Sequence, residues 1–141
     1  MKNINPVATG QYVEKADHFF QAMRLLADDR AAYRTGIDLL AVHSAISLSD
    51  AITSGLTGKR SKHQDHLAAV TQLESLSRKH HITNRNGIGY FRWLLTEKSR
   101  IAYGGERLDD GLVLLSISRA ERFHAWAYNY FKEIFHASAG A

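Results

Sequence analysis

An all-α fold, an antiparallel bundle of four to five helices, is what this sequence predicts, and three features predict it. Proline occurs once, at Pro6, so nothing in the body of the chain forces a helix to break. Apolar residues recur at three- and four-residue steps through most of the 141 positions, the spacing that gathers them on one helix face. No segment alternates apolar and polar residues between hairpin turns, which leaves no argument for strands.

The elements follow in order. Val13, Ala16, Phe19, Phe20, Met23, Leu26 and Ala27 share one face of a first helix, which Asp28-Asp29 interrupt. A second helix runs from about Ala31 to Gly55, with Tyr33, Ile37, Leu40, Ala41, Ser44, Ala45, Leu48, Ala51 and Ile52 on one side. Its many Ala and Ser residues allow close helix approach, and Gly55 and Gly58 supply a stop. Beyond the basic loop, Ser61 or Asp65 caps a third helix holding Leu67, Val70, Leu73 and Leu76. Asn84, Asn86, Gly87 and Gly89 have turn composition, so a fourth helix starts near Ile88 and runs to Tyr103, ended by Gly104-Gly105. Asp109 and Asp110 sit where an N-terminal cap belongs. A fifth helix follows to about Phe135, striped by Val113, Ser116, Ala120, Phe123, Ala127, Tyr130 and Ile134. Residues 1–10 read as a flexible N-terminus, 11–136 as a single bundle and 137–141 as a frayed C-terminus.

Hydrophobic residues at 45% and charged residues at 23% fit one globular domain of ordinary size. The absence of cysteine excludes disulfide scaffolds, thiol nucleophiles, cysteine zinc sites and iron–sulfur clusters. No apolar run comes near the roughly 20 residues of a membrane span, and the N-terminus lacks the apolar core of a secretory signal. No membrane contact and a cytoplasmic location are the expectation.

The net charge of +4 is concentrated. Residues 78–107 hold Arg78, Lys79, Arg85, Arg92, Lys98, Arg100 and Arg107 against Glu97 and Glu106, a net of +5, and the rest of the chain is close to neutral. A localised positive surface attracts polyanions, and RNA or DNA is the commonest of these in a cytoplasm. Within this stretch Lys98 stands out. At 100° per residue it falls near the centre of the apolar arc of Ile88, Phe91, Leu95 and Ala102, whereas Glu97 and Arg100 point elsewhere, beside Trp93. A lysine in such a place must snorkel, pair with an acid such as Asp38 or Asp50, or line a cleft that a phosphate can reach.

Other chemistry finds less support. His63 and His66 lie one helical turn apart, and Glu121 and His124 have the Glu-x-x-His spacing of di-iron bundles. The second such pair and the further glutamates of a di-iron site are missing, which leaves a single ion held by His43, His66 and His124 as the metal alternative. No Gly-x-Ser-x-Gly elbow, dinucleotide fingerprint or phosphate loop is present. No cofactor is expected.

Three segments together resemble the HEPN superfamily of small all-α domains. They are the small-residue helix from Ala41 to Ile52, the loop and helix start from Gly58 to His66, and Lys98-Ser99-Arg100-Ile101-Ala102-Tyr103 before the final helix. The likeness covers roughly residues 10–135. Active members are similar to one another in carrying an Arg followed by a polar residue, then a His four to six positions from the Arg. They work as dimeric, metal-independent endoribonucleases in which the Arg steadies a phosphate and the His moves a proton. Here Lys98 stands in the Arg place, Ser99 in the polar slot and Tyr103 in the His place. Lysine meets phosphate as a point charge without the two-pronged fork, and tyrosine, with a pKa of about 10, is a poor base at neutral pH.

What the resemblance implies is therefore a homodimeric binding or regulatory module for RNA or a nucleotide. A nucleotidyltransferase-like partner in a toxin–antitoxin arrangement is implied with it. Lys98, Ser99, Arg100, Arg92 and Arg60 are the expected phosphate contacts. An endoribonuclease using Lys98 and Tyr103 is the alternative, and a histidine-based metal-binding bundle is the second.

Overall fold

The protein, described by a computed structural model, is traced here over residues 6–59, 65–103 and 109–139, with backbone alone for residues 6–8, 66, 99–103 and 137–139. The order of elements is α1 (Pro6–Leu26), a 3-10 turn (Ala27–Asp29), α2 (Arg30–Thr57), α3 (His66–Lys79), α4 (Asn86–Tyr103), α5 (Asp110–Tyr130) and α6 (Lys132–Ala139). Among the described residues there is no strand. The expected all-α bundle is what forms, with a short sixth helix added.

Helix α2 is the centre of the bundle, packed against every other helix and most extensively against α1. Its expected single apolar face is instead burial nearly all round: Ile37, Ala41, Val42, Ala45, Leu48, Ala51 and Ile52 are fully buried, and Ser44, Ser47, Ser49, Thr53 and Ser54 are buried beside them. Small side chains make this possible, because they let helices close in on several sides and leave hydroxyls that find local partners. Ser44 donates to the Ala41 carbonyl at 2.8 Å, and the hydroxyls of Thr9 and Ser54 meet at 2.9 Å across the α1–α2 seam. An 18-residue window within Thr9–Thr57, of mean hydropathy 1.3, is long and apolar enough to cross a membrane, which qualifies the sequence reading. The other helices bury 72% of that window, so its apolarity is that of a core helix.

Element boundaries follow local chemistry. Helix α1 begins at Pro6, where a missing N–H costs nothing, earlier than the expected residue 11, and Thr9 is buried. Asp28-Asp29 form the 3-10 turn, and a kink at Tyr33 (φ −127°, ψ 29°) follows it. The stop of α2 is Gly58, left-handed at φ 70°, its N–H on the Ser54 carbonyl at 2.9 Å. Gly55 lies inside the helix, where a side chain would strike Ile134 of α6. Of the two proposed caps for α3, Asp65 serves, accepting from the Leu67 N–H at 3.1 Å; Ser61 lies outside the described residues. Asp109 caps α5 through the Leu112 N–H at 2.7 Å.

The last helix breaks where continuity was expected. At Phe131 the backbone leaves the helical region (φ −125°, ψ 35°), and α6 turns back over α1 and α2. Phe131, Ile134 and Phe135 are buried as a result. The apolar payload of these three side chains outweighs the one or two helical hydrogen bonds given up at the bend.

Candidate anion-binding site

Helix α4 presents a different face to each neighbour, and this divides the basic stretch. Toward α3 it shows Arg92, exposed, whose guanidinium lies 3.8 Å from Glu74; the same carboxylate holds Arg78 at 2.7 Å. Toward α5 it shows Tyr90 and Trp93. Toward α2 it shows Lys98, half-buried as its place in the apolar arc requires. The expected phosphate contacts are thus not one patch, because Arg92 is turned away from Lys98 and is shared with an acid. Arg60 lies outside the described residues, and Ser99, Arg100 and Tyr103 are placed only by their backbone in the last two turns of α4.

Of the three fates open to Lys98, pairing with an acid is not seen: among the described residues it makes no ion pair. Its ammonium instead lies within electrostatic range of His43 on α2. The His43 imidazole is half-buried against Phe19 of α1, ring centroids 5.7 Å apart. Lys15, one turn before Phe19, sits 5.9 Å from the same ring and also acts on His43. Burial lowers the pKa of His43 below the ordinary histidine value, and Lys98 and then Lys15 lower it further. Lys15 and His43 thus lie beside the Phe19 ring, and Lys98, from a third helix, acts on the same imidazole through its charge. Along α1 a hollow of about 350 Å³ opens, lined by Gln11, Glu14, Lys15, His18 and Phe19, with Glu14 and His18 paired at 3.9 Å.

The electrostatic coupling is directly measurable. Lys98→Met removes a positive neighbour, so the His43 titration midpoint, followed by its ring-proton NMR shift, moves upward. A midpoint that stays where it was places Lys98 out of range of the imidazole.

The histidine set considered for a metal does not gather among the described residues, which contain no group of three His, Asp or Glu able to hold an ion. His43 faces Phe19 and the lysines. His124 is buried against Phe20, centroids 4.1 Å apart, and His66 is described by its backbone only.

Sequence reasoning missed two things here. Glu97, assigned to the polar side of α4, is 4% exposed. Lys15 and His43 were not connected with Lys98, although the i, i+4 spacing of Lys15 and Phe19 was legible; what joins them is that α1 and α4 both pack on α2. Compared with family models, curated proteins and solved structures, the chain matches none.

Proposed function

We propose that this protein is a helical module that binds RNA or a nucleotide through phosphate, with Lys98 as the anchoring cation. The observation that carries the reading is Lys98, in the apolar arc of α4 and in no ion pair among the described residues, acting on the same His43 imidazole as Lys15. A partly buried lysine with no carboxylate partner among the described residues is a place where an arriving anion can balance the charge. By its resemblance to the HEPN superfamily the module is cytoplasmic and homodimeric, and its partner is a nucleotidyltransferase-like protein in a toxin–antitoxin pair.

Fluorescence anisotropy with a labelled single-stranded RNA tests the binding. Affinity falls as salt rises, and Lys98→Ala weakens it about tenfold, the loss of one charge-assisted phosphate contact. Equal affinity in wild type and variant removes Lys98 from the site.

A second reading, metal-independent endoribonuclease, is favoured by the state of His43. An imidazole kept neutral beside a phosphate-binding lysine is a competent acceptor for the 2′-hydroxyl proton, the task for which Tyr103 is poorly suited. Cleavage of the same RNA in EDTA, lost in both Lys98→Ala and His43→Ala, decides for this reading; intact RNA decides for binding alone.

A further inference from the structure

We propose that the face shared by α4 and α5, away from Lys98, is a stacking platform for the unpaired bases of a single-stranded RNA. The inference rests on the RNA reading above and narrows it, since inorganic phosphate, a free nucleotide and duplex RNA would not need this surface.

Tyr90 and Trp93 stand one turn apart on α4, both partly buried at the α4–α5 groove. The Arg119 guanidinium of α5 lies 5.6 Å from the Tyr90 ring centroid and 5.8 Å from that of Trp93. Arg122, exposed and one turn further on, lies 6.0 Å from Tyr90. Leu115, one turn before Arg119 and 45% exposed, extends the apolar part of this surface.

Among the described residues no carboxylate pairs with the charges on this face. Among the described residues neither Arg119 nor Arg122 forms an ion pair, and the buried Nε of Arg119 has no hydrogen-bond partner. The nearest acid in sequence, Glu121, reaches across to Arg24 of α1 at 3.6 Å. What remains is two guanidinium groups lying over two partly buried aromatic rings.

That combination selects its ligand by chemistry. Single strands are held by positive surfaces that track the backbone and by aromatic or guanidinium planes on which bases stack; a paired base in a duplex has no free face to offer. A small acidic protein would satisfy the charges and leave the rings idle. Trp93 and Tyr90 precede Lys98 by about 8 and 12 Å along the helix axis, so only a strand of several nucleotides that also passes around α4 would contact both places.

Anisotropy titrations with three probes test this: a labelled single-stranded oligoribonucleotide, its duplex, and inorganic polyphosphate of matching charge. Wild type binds the single strand at least tenfold more tightly than the other two. Tyr90→Leu and Arg122→Glu each lower single-strand affinity about tenfold and leave polyphosphate binding within about twofold, whereas Lys98→Ala weakens both. Arg122 is exposed, so its variant keeps the wild-type melting temperature and guards against a folding artefact if Tyr90→Leu unfolds. Equal affinity for the single strand and its duplex, or single-strand affinity unchanged in Arg122→Glu, overturns the platform while the Lys98 site stands. Failure of all three probes to bind overturns both readings. A poly-glutamate peptide that binds the wild type and is lost in Arg122→Glu, with no RNA preference, reassigns the face to an acidic protein and overturns the proposal.

Discussion

Gly87→Ala destabilises this protein by about 3 kcal/mol, whereas Gly89→Ala, two residues along the same helix, leaves it as stable or improves it by up to about 1 kcal/mol. A Cβ on Gly87 falls within the Trp126 indole, against Cγ, Cδ2 and Cε3 at the root of the ring. That ring has nowhere to go. Its Nε1–H donates to the Asn84 carbonyl at 2.8 Å, and Phe131 meets it edge-on at 5.6 Å. Phe123 stacks beside it at 5.9 Å. The extra methyl must therefore break the indole hydrogen bond or push the start of α4 off α5. At Gly89 a Cβ meets nothing within 4 Å, so only the helix propensity gain of Ala over Gly is felt. Urea unfolding of the two variants under one set of conditions checks the pair. Equal effects from both would mean that Trp126 does not occupy the space above Gly87.

Acid destabilises the fold through His124 by about 2 kcal/mol between about pH 7.5 and about pH 5, approaching about 3 kcal/mol in full. Burial lowers the pKa of this imidazole from 6.5 to about 4, opposed only by the attraction of Asp17. It lies in an aromatic stack between Phe20 at 4.1 Å and Tyr128 at 6.4 Å, and its buried Nε2 has no hydrogen-bond partner. In the unfolded chain the ring takes up its proton near 6.5; in the folded chain it does so only near 4. Between these values the unfolded state binds more protons, so stability falls as pH falls, and above 6.5 the group contributes no pH dependence. His43, lowered in the same direction, adds a smaller slope of the same sign. The depressed carboxyl of Asp110, paired with Arg30 at 3.0 Å, acts only at lower pH. His124→Phe keeps the stack and removes the titration, so most of the slope disappears in that variant. A slope as steep as wild type after this substitution would assign the acid sensitivity elsewhere.

How much of this was readable from the chain differs by level. The helices were legible because their signals are local: Asp109 before Leu112, Asp65 before Leu67 and Gly58 after Thr57 each act through one backbone hydrogen bond within a few residues. The break at Phe131 was not, since no glycine or proline marks it and its cause is the burial of Phe131, Ile134 and Phe135 against distant helices. The site divides in the same way. The anomaly of Lys98 is a matter of periodicity on one helix, visible at 100° per residue. The company it keeps is not, because His43 lies 55 positions away and Lys15 lies 83, and no periodicity relates side chains on different helices.

By itself the sequence determined that this protein is a cysteine-free, all-α bundle, where most helices start and stop, and that one lysine of α4 falls among apolar neighbours. Only the tertiary structure decided that α2 is enclosed on nearly every side, that Glu97 is buried, that Arg92 is drawn to Glu74, and that Lys98 comes within electrostatic range of His43. The physical reason is that capping and amphipathicity act over single helical turns, whereas burial and charge proximity depend on how whole helices pack.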